Sequence, residues 1–176
     1  MLNLLRDENK LRKNILLSIF IFYSGLWNSQ SIAQTKGMNV PLPRYVSLRA
    51  KEVYMRAGPG ILFPVEWVYH RRFMPIEVVA EYDTWRKVRD WQGTQGWVHQ
   101  SMLSNRRTFM VTNKIRTLRG KPNTKSTEVA KLEPRVIGRV LICEFGSTWC
   151  QVEVSDQKGW LRRVEFWGVY KNESVD

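Results

Sequence analysis

An internal repeat constrains this chain more than any other feature of its sequence. Three short motifs occur twice, in the same order and at a nearly constant spacing. Val53–Pro59 recurs as Arg116–Pro122, Glu81–Trp85 as Glu144–Trp149, and Gly96–Val98 as Gly159–Leu161. Each copy spans about sixty residues, which is close to the lower size limit for a domain that folds alone. We therefore expect two small modules that touch each other, because residues 105–107 are too short for a free tether.

The signals within each copy are those of β-strands. Val53 and Met55 alternate with Tyr54 and Arg56, which is the period of a half-buried strand. The loop that follows, 57–60, contains two glycines and a proline, residues that end a strand. No stretch after the N-terminal apolar run keeps a helical period over three turns. Short strands with tight turns in so few residues predict an all-β fold of two small barrels.

These motifs resemble the pattern of bacterial SH3 (SH3b) domains. In the first copy the pattern is complete, comprising Val53–Pro59, Trp85–Val88, Gly96–Val98 and Leu103. The second copy departs from it at residues 120–122 and at Leu161. The resemblance covers nearly all of residues 44–169 and implies two tandem SH3-like barrels that bind cell-wall or protein ligands.

The N-terminus predicts export. A segment with four basic residues precedes an apolar run, Ile15–Trp27, and Ser31 and Ala33 then supply the small side chains that a signal peptidase reads. The run is shorter than the ~20 residues that a spanning helix needs, so we expect cleavage after Ala33 rather than a retained anchor. The mature protein would then be periplasmic or secreted, with no membrane span. The chain's net charge is +12. Because export argues against nucleic acid as the partner, we expect an anionic partner of another kind.

The predicted organisation follows from these boundaries. It comprises a signal peptide (1–33), a linker (34–43), a first SH3-like domain (44–104), a second (108–170) and a tail (171–176).

The chain has two cysteines, and both lie in the second copy. A hairpin turn centred on Gly146 and Ser147 would place Cys143 directly opposite Cys150, at a separation that a disulfide accepts. An oxidising compartment favours this bond over two reduced thiols. A metal site is a weaker alternative, because no histidine is near in sequence, and we expect neither metal nor cofactor.

Recurring residues are expected to support the fold. Trp85, Trp97, Trp149 and Trp160 occur at matching positions, and we predict that they fill the barrel cores, the alternative being contact with a ligand. Arg56 and Arg119 precede the glycine-containing loops, where each guanidinium would bind backbone carbonyls of the loop or, alternatively, a ligand carboxylate.

Residues found mainly in the first copy are candidates for ligand binding. Arginines interleaved with aromatic rings can hold a peptide or a sugar face that carries carboxylates. The alternative is a solvated basic face with ordinary exposed rings. The candidate set is Tyr54, Arg71, Arg72, Tyr82, Arg89, Trp91 and His99.

The sequence favours binding over catalysis. Neither His70 nor His99 lies in a metalloprotease or nucleophile-elbow motif. The function that the sequence favours is an exported binding or scaffold protein for peptidoglycan stem peptides or an envelope protein. Two alternatives are a structural subunit that only mediates assembly and an enzyme of the cysteine-peptidase kind, which a disulfide would nearly exclude. The sequence does not determine an oligomeric state.

Overall fold

The computed structural model describes residues 41–176, which form fourteen β-strands and two short 3-10 helices. The predicted signal peptide and nearly all of the predicted linker lie outside the described residues. The first copy contains β1 (Arg44–Leu48), β2 (Val53–Arg56), β3 (Val65–Tyr69), β4 (Pro75–Tyr82), β5 (Trp85–Arg89), β6 (Gln95–His99), a 3-10 helix (Gln100–Met102) and β7 (Leu103–Ser104). The second contains β8 (Thr108–Val111), β9 (Arg116–Arg119), β10 (Glu128–Leu132), β11 (Ile137–Cys143), β12 (Trp149–Val154), β13 (Gln157–Arg162), a 3-10 helix (Arg163–Glu165) and β14 (Phe166–Trp167).

The two copies have the same topology. Strands of the first sheet follow the order β3-β2-β6-β5-β4-β1-β7, and those of the second follow β10-β9-β13-β12-β11-β8-β14. All the strand pairs within them are antiparallel. The prediction of an all-β fold with two tandem small barrels is therefore confirmed.

Each barrel has its own apolar core, because every second side chain along its strands points inward. Val53 and Met55 of β2 are fully buried, whereas Tyr54 between them is exposed. In the second barrel, Leu118 of β9 and Val152 of β12 lie in the corresponding core. Alternation places one set of side chains inside and leaves the other set on the outer face of the sheet.

The prediction that the recurring tryptophans fill these cores is wrong. Trp85 lies three residues before the buried Val88, and Trp97 lies next to the buried Val98. An odd spacing along a strand places two residues on opposite faces. Both tryptophans are therefore on the outer face of the first sheet and only partly buried, and the same holds for Trp149 and Trp160 in the second.

The predicted disulfide is confirmed. Cys143 and Cys150 face each other across the β11–β12 hairpin, with Cα atoms 4.5 Å apart and the sulfur atoms bonded. Gly146 lies in the turn with φ +74°, a backbone conformation that residues other than glycine rarely adopt. Val175 forms a β-bridge with Cys143, so the C-terminal segment is paired with this hairpin.

The two barrels pack against each other, as the short connection predicts. Met110 of β8 belongs to the core cluster of the first barrel. The Tyr45 ring lies 5.1 Å from Trp167 and 4.6 Å from Tyr170, measured between ring centroids. This packing covers the end of the first sheet's outer face where Tyr45 pairs with Glu77.

Candidate binding site

Aromatic side chains share the uncovered part of the first sheet's outer face. The strand register pairs Tyr82 of β4 with Trp85 of β5, and Trp85 with His99 of β6. Paired residues project from the same face of a sheet. Trp97 lies two residues before His99 and pairs with Arg56. Tyr54 lies two residues before Arg56 on the same strand and therefore projects from the same face. We call this surface, formed by Tyr54, Tyr82, Trp85, Trp97 and His99, the aromatic face.

The rings of the aromatic face combine exposure with fixed orientation. Tyr82 is 63% exposed and Tyr54 is 50% exposed. The Trp85 and His99 rings contact each other edge to face, with centroids 5.4 Å apart. The Tyr54 hydroxyl donates to Glu52 at 2.5 Å, and this bond, together with the carboxylate charge, raises the pKa of the phenol.

Hydrogen bonds to the adjacent 3-10 helix hold the base of this surface. The backbone N–H of Ser101 donates to His99 Nδ1 at 3.3 Å, and the Ser101 hydroxyl oxygen lies 2.7 Å from the same nitrogen. Arg86 donates to the side-chain oxygen of Gln100 at 2.7 Å and to the carbonyl of Asp83 at 2.8 Å. Arg86 thereby joins the β4–β5 turn to the 3-10 helix on either side of Trp85.

The structure brings together three of the seven candidate ligand-binding residues, namely Tyr54, Tyr82 and His99. Arg89 lies on the same face but four residues beyond Trp85, a distance of about 13 Å along a strand. Its guanidinium pairs there with the buried Glu77 at 2.6 Å, and this bond raises the pKa of Arg89.

The other candidates lie elsewhere. Arg71 and Arg72 are exposed on the loop between β3 and β4. Trp91 packs against the first core, and the Arg135 guanidinium of the second barrel lies 5.6 Å from the centre of its ring.

The two repeated arginines are structural. Arg56 donates to the carbonyl of Phe63 at 2.7 Å, and Arg119 donates to the carbonyl of Ser126 at 2.9 Å. Each guanidinium therefore binds the loop that follows its strand, which confirms the structural interpretation of both residues.

The second barrel presents a different surface at the equivalent position. Trp149 pairs with Arg162, which occupies the place of His99. Arg162 is engaged by Glu165 at 2.9 Å. Trp149, Arg162 and Arg119 line a shallow pocket of about 140 Å³. A guanidinium thus replaces the imidazole, and the continuous row of rings seen on the first barrel is not repeated.

Sequence reasoning missed Trp85 and Trp97 as surface residues, although the signal was present. Each tryptophan lies an odd number of residues from a valine of its own strand, Val88 or Val98, and it is the valine that is buried in the core.

Within residues 41–176, no three His, Cys, Asp or Glu side chains converge as a metal site requires. The helices in this part of the chain are single 3-10 turns, too short to cross a membrane.

Comparison with known proteins identifies both repeats. They match the profile of the bacterial SH3 domain over residues 49–105 and 113–168. Among solved structures, the chain is similar to NlpC1 from Trichomonas vaginalis (9% identity, TM-score 0.33, 74% of this chain and 48% of that chain). It is also similar to NlpC2 from the same organism (11% identity, TM-score 0.33, 76% of this chain and 50% of that chain). The chain therefore covers half the length of these structures or slightly less. A search of curated proteins found no match.

Proposed function

The chain belongs to the bacterial SH3 domain family, and from this we propose that it is a non-catalytic binding protein that recognises peptidoglycan. The parts of the polymer that it would bind are the faces of the sugar rings and the stem peptides, which carry carboxylates. The proposal rests on one observation above all, the aromatic face of the first barrel.

The aromatic face suits a flat, partly apolar ligand. Tyr82, Trp85 and His99 form a row across three neighbouring strands, so their rings extend over a surface rather than a cavity. Rings of this kind bury large contact areas at a low cost in conformational entropy. Lys87 pairs with Trp97 on the same face and adds a cation beside the rings.

Charge supports an anionic polymer as the partner. Lysine and arginine exceed aspartate and glutamate by 28 to 16. A surface of this sign attracts carboxylate-bearing ligands, and salt screens that attraction over ~8–10 Å.

A binding role also fits the chemistry of the chain. Its two cysteines are bonded to each other, so neither supplies the thiolate that a cysteine peptidase requires. His99 Nδ1 is engaged by Ser101, and His70 is exposed beside Glu52.

Cosedimentation with purified peptidoglycan sacculi tests the proposal. We expect Trp85→Ala to weaken binding about tenfold, which corresponds to ~1.4 kcal/mol, and Tyr82→Ala to weaken it by a similar factor. Trp67→Ala is the matched control, because Trp67 is a half-exposed tryptophan of the same barrel outside the row. Equal binding by wild type and Trp85→Ala would refute the assigned surface, and no sedimentation of wild type at low salt would refute peptidoglycan as the ligand.

Export to the periplasm or beyond is part of the same proposal. The expected mature N-terminus is Gln34, which N-terminal sequencing of the exported protein would identify. Recovery of an unprocessed, membrane-bound chain would contradict it.

A second function, that of an assembly subunit, is favoured by one exposed apolar loop. Ile61 is 76% exposed and Leu62 is 95% exposed at the tip of the β2–β3 connection. Such residues commonly mark contacts with another protein. Light scattering of wild type and a Leu62→Ser variant distinguishes this case, because an assembly that depends on the loop would dissociate in the variant.

A further inference from the structure

A cleft of about 190 Å³ lies where the two barrels meet. Phe73 from the first barrel and Arg106 from the connection form one side. Residues of the β11 and β12 strands and of the β12–β13 turn form the other. The cleft is smaller than the ~300–1,000 Å³ of pockets that hold drug-sized molecules. Its size therefore suits a ligand no larger than about one amino-acid residue.

Two guanidinium groups lie over the Phe73 ring, and of the two only Arg106 lines the cleft. Arg72 lies 4.6 Å and Arg106 lies 4.7 Å from the centre of the Phe73 ring. The two charges are thus within about one Debye length, ~8–10 Å, of each other. Neither forms a salt bridge with any residue in 41–176. The ring attracts both cations but does not neutralise their charges, so both guanidinium groups can still attract an anion.

The backbone conformation of Phe73 belongs to a turn that occurs in both barrels. Phe73 has φ +63°, a left-handed conformation that is unfavourable for a bulky residue, and Arg135 in the turn before β11 has φ +70°. A glycine would adopt it freely. The phenylalanine at this position provides the ring over which Arg72 and Arg106 lie.

The opposite wall carries acidic groups. Glu153 and Asp156 line the cleft beside Arg139 and Ser155. Thr108, which is 3% exposed, also lines it, and its hydroxyl has no hydrogen-bond partner in residues 41–176. Carboxylates on this wall repel a multiply charged anion such as phosphate and attract an amine or amide N–H. The cleft is the size of one amino-acid residue and has positive and negative side chains around it. It therefore suits a small ligand that has both a negative and a positive or N–H-donating group.

We propose that this cleft binds an α-carboxylate together with the nitrogen on the same carbon, as in a free amino acid or the carboxyl-terminal residue of a peptide. Arg106 holds the carboxylate, Arg72 beside the Phe73 ring adds a second positive charge nearby, and Glu153 and Asp156 face the nitrogen. This site is separate from the aromatic face and does not depend on peptidoglycan being its ligand.

Backbone-amide NMR titration of the full chain tests the site. The probes are alanine, alanyl-alanine and alanyl-alaninamide, which lacks the carboxylate. We expect saturable shifts at the amides of Thr108 and Gly138 with alanyl-alanine, and at least tenfold weaker binding of the amide, because hydrogen bonds between charged groups are lost. Alanine binding as tightly as the dipeptide would assign the site to free amino acids, and tighter dipeptide binding would assign it to peptide ends.

Matched variants make the result specific. Arg106→Gln should weaken alanyl-alanine binding at least tenfold while its amide spectrum remains that of a folded protein, and Arg72→Gln should act in the same direction. Arg49→Gln, a charge change at another exposed arginine, should leave binding unchanged. Unaltered affinity in both cleft variants, equal binding of acid and amide, or no shift up to about 10 mM probe would each overturn the proposal. Trp85→Ala leaves the cleft intact, so this site and the peptidoglycan surface can fail independently.

Discussion

Arg163 is 7% exposed, and carbonyl groups rather than a carboxylate bind its guanidinium. It donates to the carbonyls of Ser147 at 2.7 Å, Tyr170 at 2.7 Å and Glu144 at 2.8 Å. Burial lowers the pKa of this guanidinium. One side chain thereby joins the β11–β12 turn to the segment that follows β14, two parts of the second barrel that are distant in sequence.

Replacing this arginine should be costly. Arg163→Met removes three charge-assisted hydrogen bonds to carbonyls, although those of Glu144 and Tyr170 keep backbone donors from Ser147 and Glu173. We expect a loss on the order of 3–5 kcal/mol in the free energy of unfolding. Urea denaturation measures it. Arg162→Met is the control, because that neighbouring side chain is 44% exposed and its pair with Glu165 contributes about 1 kcal/mol or less. Similar losses in both variants would show that burial of Arg163 is unimportant.

Buried tyrosines should make the protein sensitive to alkaline pH. Burial, followed by nearby carboxylates, raises the pKa of Tyr45, Tyr69 and Tyr170 above the ordinary value of about 10. A phenol with a raised pKa in the folded state contributes stability that is fully present below pH ~10 and is lost as the pH rises above it. Urea denaturation between pH 8 and about 11.5 should show this decline.

Tyr69→Phe separates this effect from general alkaline damage. The Tyr69 hydroxyl is bonded to Asp90 at 3.2 Å, so the variant is less stable at pH 8 but should lose stability less steeply above pH ~10. An identical slope in wild type and variant would exclude Tyr69 as a contributor.

Sequence reasoning succeeded for individual residues where a local rule applied. For Arg56 and Arg119, which precede glycine-containing loops, binding to carbonyls of those loops was one of the two predicted alternatives, and it is the one that the structure shows. Trp85 was assigned to the core because it is aromatic and recurs in both copies. Its odd spacing from Val88 along the strand, however, indicated the outer face. Arg163 had no local signal, since its acceptors come from segments that only the folded chain brings together.

At the scale of elements, the β11–β12 hairpin was predictable because a short turn determines which residues face each other. Gly146 and Ser147 place Cys143 opposite Cys150, and the bonded pair follows from that register. The bridge between Val175 and Cys143 was not predictable, because it joins the C-terminal segment to a strand more than thirty residues earlier.

Removal of the disulfide should weaken this hairpin measurably. Cys143→Ser/Cys150→Ser is expected to lose ~2–3 kcal/mol in unfolding free energy, the range for a loop of this size in the chain-entropy model. Thiol labelling of denatured, unreduced wild type should find no free cysteine. Labelling of two thiols in the wild-type protein, or unchanged stability of the variant, would contradict the bonded hairpin.

At the scale of the whole described region, the two barrels form one packed body. Glu77 of the first barrel is 1% exposed and accepts hydrogen bonds from Arg89 at 2.6 Å and from Tyr170 of the second barrel at 2.7 Å. The repeat predicted contact between modules but not these partners, because Tyr170 follows β14 and lies outside the repeated motifs. The pair with this carboxylate also holds Arg89 at the covered end of the sheet, away from the rings of the aromatic face.

Unfolding should therefore occur in one step, and an interface variant should destabilise both barrels together. Tyr170→Phe leaves one oxygen of the buried Glu77 carboxylate without its donor, so we expect a loss of about 1–3 kcal/mol. Far-ultraviolet circular dichroism and tryptophan fluorescence, followed along one urea titration, should shift to the same lower midpoint. Tyr82→Phe, which alters a hydroxyl on a 63% exposed ring, should change stability by no more than about 0.5 kcal/mol. Two separate transitions in the wild type, or a Tyr170→Phe midpoint equal to that of Tyr82→Phe, would show that the barrels fold independently and that the Glu77–Tyr170 bond does not couple them.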